Sequence, residues 1–392
     1  MSRIFLLVGA LSFGVVHAAP AKPDAKAIAT KLAGDVAGVK EGDVVLIHAD
    51  VLDAELAQQI LLAVGARGGQ PLMLLQPSRS GRAWFDAVPQ KYDVNGAAWR
   101  GKLVEMVDVE FNIGRDEAPE QMNGIAADRL EAWRKTHLPF GEKLRKRKVR
   151  QIDLGNGLFP TRATAKSLGL SEAELATLFW AGVNTDYAKL AARGETVKAA
   201  LAGAKELRIT SKAGTDLKFK PSAKAMVISD GVITSDEAKA GGAGSFTWLP
   251  AGEAYNLIEL GSAEGKVVLP RYPFRGEDLV DFTAIIKAGK IVEFTAKPSK
   301  ALEAFKADYA AAGPGKEIVT LFDIGLNADV KAPKGKTIQS FVPEGSVSVF
   351  IGADTWAGGT NDINWSAALM LPDATLTVDG KPLIEGGVLK AK

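Results

Sequence analysis

Asp43-Val44-Val45-Leu46-Ile47-His48-Ala49 is the stretch on which the fold turns. It is a continuous apolar run short enough for a strand, too short for a buried helix, and it has no alternation to suggest a wetted face. A helix is expected from Asp53, a suitable N-cap, to about Ala66, with Gly68-Gly69 as its stop. Pro71 to Gln76 then reads as a second strand. A strand, a helix and a strand in this order make a parallel βαβ unit.

The pattern continues outward. Met106 to Ile113 alternates apolar and acidic residues as a strand, Pro119 to Arg147 reads as a long polar helix, and Val149 to Leu154 as another strand. A helix from Ser171 to about Ala192 opens with the capping box Ser171-x-x-Glu174, and a second short helix runs to Leu201. After Lys205 the character changes to short β segments between Gly and Pro turns, interrupted by one helix near Lys300 to Ala311. The expected segments are 206–210, 216–220, 267–270, 284–288, 290–295, 317–322, 346–352 and 374–378. The fold class is α/β: a doubly wound N-terminal domain over 19–204, then a mainly antiparallel β domain over 205–392.

Residues 1–18 read as an export signal rather than as structure. Arg3 precedes the apolar Ile4 to Val16, and Val16-His17-Ala18 is a small-residue cleavage site, with cleavage expected after Ala18. A periplasmic or secreted protein is implied. No later apolar run has membrane length, so no membrane association is expected after processing. Cysteine is absent, which excludes disulfides, thiolate metal sites and thiol nucleophiles. The formal charge of +2 falls to +1 when Arg3 leaves with the signal, so no global basic field collects nucleic acid. The basic run Lys143, Arg145, Lys146, Arg147, Lys148 and Arg150 then reads as a complement to a helix C-terminus. Of three histidines, His17 lies in the signal, leaving His48 and His137. Both read as structural, although His48 closes a strand where open α/β sheets carry ligands.

The order of several segments resembles the thermophilic-type aminopeptidases, the M29 or AmpS/AmpT-like metallopeptidases. They are Pro160-Thr161-Arg162-Ala163, Ala204 to Thr210, Gly214 to Leu217, Leu249 to Glu253, Phe322 to Asn327, Gly345 to Gly352, Gly358-Gly359-Thr360-Asn361 and Asp379-Gly380-Lys381. The resemblance implies release of N-terminal amino acids from peptides, a homodimer, and two divalent metals held by two glutamates, two histidines, an aspartate and a tyrosine. Carried over, the first glutamate is Glu253 and the second falls on Asp323. The first histidine falls on Ser348, and the His-x-Asp pair on Asn364-Trp365-Ser366. The tyrosine has no clear counterpart; Trp356 and Asp354 lie nearest.

One ligand is therefore kept, one is shortened, and the others become weak neutral donors. Glu253 and Asp323 are the expected metal ligands, with Glu253 also the expected general base. Oxygens from Asp354, Asn361, Asp362 or Asp373 would complete a site suited to Mg²⁺, Ca²⁺ or Mn²⁺ rather than zinc. Asp354, Trp356, Asn361, Asp362 and Asn364 are the expected pocket residues. The competing reading of that loop is local, with Asx turns holding it and Trp356 acting as an apolar plug. Three functions stay open: an exported metal-dependent aminopeptidase, a degenerate relative that binds a peptide or small ligand without cutting it, and a metal enzyme on other substrates.

Overall fold

The computed structural model describes residues 24–390 apart from 95–97, 116, 118, 123 and 276; the signal segment and its cleavage site lie outside them. Strands β1 (Val44–Asp50), β2 (Gln70–Gln76), β3 (Val109–Ile113) and β4 (Arg150–Leu154) run parallel in the order β2-β1-β3-β4. One face of this sheet is apolar. Val45, Ile47, Val109, Phe111, Ile113, Ile152 and Leu154 point to it and pack against the helix Ala54–Ala66 and the N-terminal helix Ala25–Lys31. Period two sends the alternate residues His48, Glu110, Asn112, Gln151 and Asp153 to the opposite face. Parallel sheets normally bury apolar residues on both faces, so this polar row is unusual.

The long helix is shorter than its polar pattern suggests. A 3₁₀ turn at Pro119–Met122 is separate from the helix Ala127–Lys146. At its end Arg147 donates to the carbonyls of Val104 and Val107, and Arg150 to those of Ala37 and Gly38 and to Asp43. These two cations hold local backbone. His137 lies within the helix, but its side chain is outside the described residues.

The capping box forms as expected, with Ser171 Oγ accepting from Glu174 N and Glu174 Oε2 accepting from Ser171 N. The following helix nevertheless ends at Val183, and a second runs from Tyr187 to Leu201. Asp186 supplies a new N-cap by accepting from Lys189 N. Two strong caps in one helical pattern split it where sequence periodicity reads straight through.

The chain then lays down β5 (Leu207–Thr210), β6 (Asp216–Phe219) and β7 (Val227–Ser229) before returning to the first sheet. There β8 (Phe246–Leu249), from beyond the expected boundary at Ala204, pairs parallel with β4 as the edge strand. The remaining strands are β9 (Glu253–Leu257), β10 (Glu264–Phe274), β11 (Glu277–Lys287), β12 (Lys290–Thr295), β13 (Val319–Gly325), β14 (Val347–Gly352), β15 (Ser366–Leu371), β16 (Thr375–Val378), β17 (Lys381–Glu385) and β18 (Val388–Leu389). They complete an eight-stranded antiparallel sheet, β12-β11-β10-β6-β5-β16-β17-β18, and a five-stranded one, β15-β14-β13-β9-β7. The mainly antiparallel character expected beyond Lys205 is thus present. Among the described residues, no helix is long and apolar enough to cross a membrane.

Candidate active site

The turn between β8 and β9 places the first site residue. It passes from one sheet to the other within three residues, Pro250 to Gly252, through a cis Leu249–Pro250 peptide. Gly252 has φ 127°, and an added Cβ would lie 2.7 Å from Asn327 Cβ, so only glycine fits. Asn327 Nδ2 donates to Ala251 O at 2.7 Å and to Gly182 O at 3.1 Å, while Asn156 Nδ2 donates to Pro250 O at 2.8 Å. Asn156 itself adopts φ 45°, a left-handed conformation that asparagine tolerates.

Held this way, Glu253 is the first residue of β9. Asp323, expected at a strand end, lies inside β13. Antiparallel pairing sets Gly325 opposite Glu253, and Asp323 opposite both Tyr255 and Ser348. Opposed residues share a face, so Glu253 and Asp323 are diagonal neighbours on one side of the sheet, with Ser348 beside them. Ser229, paired with Glu253 across β7, joins the same row. Backbone register thus brings Glu253 and Asp323, the two expected ligands, onto one face of the sheet together with Ser348.

All three are buried, with relative exposures of 5%, 3% and 0%. Asn156 Nδ2 donates to Glu253 Oε1 at 2.8 Å. Burial still dominates over that hydrogen bond and pushes the Glu253 carboxyl up to about 7. Burial, then the neighbouring Glu253 charge, raises the Asp323 carboxyl well above its ordinary value. Tyr255 is raised as well, by burial first and then by the two carboxylates. Asp323 Oδ1, Ser348 Oγ and Ser229 Oγ are buried with no hydrogen-bond partner among the described residues.

Aromatic rings cluster at Tyr255, beside this row. Trp356 sits with its ring centroid 5.5 Å from Tyr255, 5.8 Å from Trp248 and 6.0 Å from Phe350. Its loop is held by its own polar groups. Asp354 Oδ1 accepts from Asn361 N at 2.7 Å, and Asn361 Nδ2 donates to Gly352 O at 2.8 Å and Gly315 O at 2.9 Å. Asp354 and Asn361 thus use these hydrogen bonds on backbone of the loop and of Gly315, Asp362 and Asn364 are exposed, and Asp373 lies in the wall of a different cavity. None of these five adds an oxygen to the carboxylate pair. Such backbone hydrogen bonds are what the competing local reading expects of Asp354 and Asn361.

Three neighbours of the pair escaped the sequence reading. Tyr255 was legible, since period two along Glu253-Ala254-Tyr255 puts both polar residues on one face. Asn156 and Ser229 reach Glu253 only through tertiary pairing, which no local pattern encodes.

The donor chemistry does not fit two transition metals. The row offers two carboxylates and hydroxyls but no imidazole, and among the described residues no three histidine, aspartate or glutamate side chains gather as a metal-holding group.

A family model described as "Thermophilic metalloprotease (M29)" matches residues 24–306. The structure is similar to wild-type AmpT from Thermus thermophilus, with a TM-score of 0.72 and 14% identity over 93% of this chain and 98% of that one. It is also similar to 2,5-dihydroxypyridine dioxygenase from Pseudomonas putida KT2440, with a TM-score of 0.58 and 15% identity over 94% and 97%. At these identities the likeness is one of fold. No curated protein matches the sequence.

Proposed function

The chain belongs to the M29 thermophilic metalloprotease family, and from that premise we propose that it is an exported member that binds a peptide, amino acid or other small ligand without two-metal hydrolysis. One observation carries the reading: the row Glu253–Asp323–Ser348 contains no nitrogen ligand and is buried, with Trp356 in ring contact with the neighbouring Tyr255. A two-metal hydrolase needs cations that depress the pKa of a bound water, on a face substrate can reach. Burial, and for Asp323 the neighbouring Glu253 charge, raises both carboxyls, and among the described residues no cationic side chain holds either one ionised. The similarity to a dioxygenase supports the premise that this fold carries more than one chemistry. Export is supported by the segment from Arg3 to Ala18 alone.

A second reading, a hydrolase working on one hard cation, is favoured by the unpartnered Asp323 Oδ1 and Ser348 Oγ. One experiment separates the two. The purified protein is analysed for metal, and release of p-nitroaniline from amino-acid p-nitroanilides is followed with and without EDTA. We expect substoichiometric divalent metal and no EDTA-sensitive turnover. Turnover that EDTA abolishes and Glu253→Ala removes would overturn the binding reading in favour of the single-cation hydrolase.

A further inference from the structure

The polar row of the parallel sheet leads to a cavity of about 550 Å³ at the C-terminal ends of β1, β2 and β3. This is a volume in the range of small-molecule sites. In the strand order β2-β1-β3-β4 the connections diverge between β1 and β3, and open α/β sheets carry ligands in the crevice at such a point. His48 and Asn112 are in register across that crevice, and both line the cavity.

Every carboxylate in the wall already has a partner. Asp50 accepts from Ser78 Oγ and from Leu52 N, and Asp93 accepts from Arg129 and from Trp84 Nε1. Arg115, one of two arginines in the wall, is held by Asp53 at 2.6 Å and by Glu117. The other, Arg100, is half-buried and makes no ion pair among the described residues. Its nearest ring is Trp99, 5.5 Å from its Cζ. The carboxylate it senses, Glu110, is pushed up to about 7 by burial and so balances the guanidinium incompletely. His48 is lowered, by burial first, and brings no compensating charge change of its own near neutrality.

The rim is aromatic. Trp84, Tyr92 and Trp99 line the cavity yet are 41%, 41% and 54% exposed. Three large rings left in water around one concavity mark a recognition surface rather than a core. Arg100 offers a planar fork suited to a carboxylate, and the rings offer faces for stacking.

We propose that this cavity binds a small aromatic carboxylate, its anionic group on Arg100 and its ring against Trp99 and Trp84. The site shares no residue with the Glu253 row, so it stands or falls independently of the function proposed above.

The test is calorimetric titration of the full mature chain with 2-naphthoate. Its controls are 2-naphthamide, cyclohexanecarboxylate and inorganic phosphate. Binding with a Kd of about 1 mM or tighter is expected, with each control at least about tenfold weaker. Arg100→Gln and Trp99→Ala should each weaken 2-naphthoate by about tenfold or more, while Glu253→Ala leaves it unchanged. Trp99 is exposed, so its removal spares the fold and keeps the test decisive even if Arg100→Gln does not fold. Absence of binding, equal binding of any control, or unchanged binding by Trp99→Ala would overturn the proposal.

Discussion

Replacing Glu253 by glutamine is expected to stabilise the protein at pH 8 by up to about 3 kcal/mol and to do almost nothing at pH 4. The sign follows from linkage. The folded carboxyl titrates near 7 against an ordinary 4.5, so the folded state binds the proton more tightly than the unfolded one. Stability from this group is present below about pH 4.5 and is lost as pH rises through 7. Each tenfold difference in proton affinity between the two states contributes about 1.4 kcal/mol. Asp323 and Glu110 are raised by the same cause and act with the same sign, so the wild-type protein should weaken from pH 5 to pH 8. His48 opposes them below its ordinary 6.5, because its lowered pKa favours the neutral ring in the fold. Glutamine keeps the acceptor for Asn156 Nδ2 while removing the charge. Guanidinium unfolding of both proteins at pH 5 and 8 measures the difference. If Glu253→Gln destabilises at pH 8, the ionised carboxylate is being held by a cation.

Asn327→Ala is expected to destabilise the fold by about 3–5 kcal/mol, among the largest effects of any single replacement outside the apolar core. The side chain is fully buried and has every polar atom in use. Nδ2 serves Gly182 and Ala251, and Oδ1 accepts from Asp329 N at 3.0 Å. Truncation leaves the two buried carbonyls of Gly182 and Ala251 without this donor and frees the part-buried Asp329 amide. It also opens space against Gly252, on the turn that aims Glu253. A loss below about 1 kcal/mol in denaturant midpoints would contradict this account of how the turn is held.

Much of the fold was legible because its signals are local. The apolar run at β1, the Gly68-Gly69 stop and the Ser171 capping box each encode their own element. What escaped depends on long-range pairing. Nothing in Phe246 to Leu249 announces a parallel strand rather than one more antiparallel segment, because its partner lies almost a hundred residues earlier. The carboxylate pair was readable through the resemblance, and register gives it physical form in Glu253, Asp323 and Ser348. The acids and amides of the Trp356 loop suit either a ligand or the loop's own backbone, and sequence does not separate the two. The hydrogen bonds of Asp354 and Asn361 to backbone appear only in the fold.

The return of β8 to the edge of the parallel sheet has a practical corollary. The chain is woven, not beaded: a fragment stopping at Ala204 would bare the whole flank of β4, with Gln151 to Leu154 left as an adhesive ribbon. The two halves therefore share one sheet edge and complete it together.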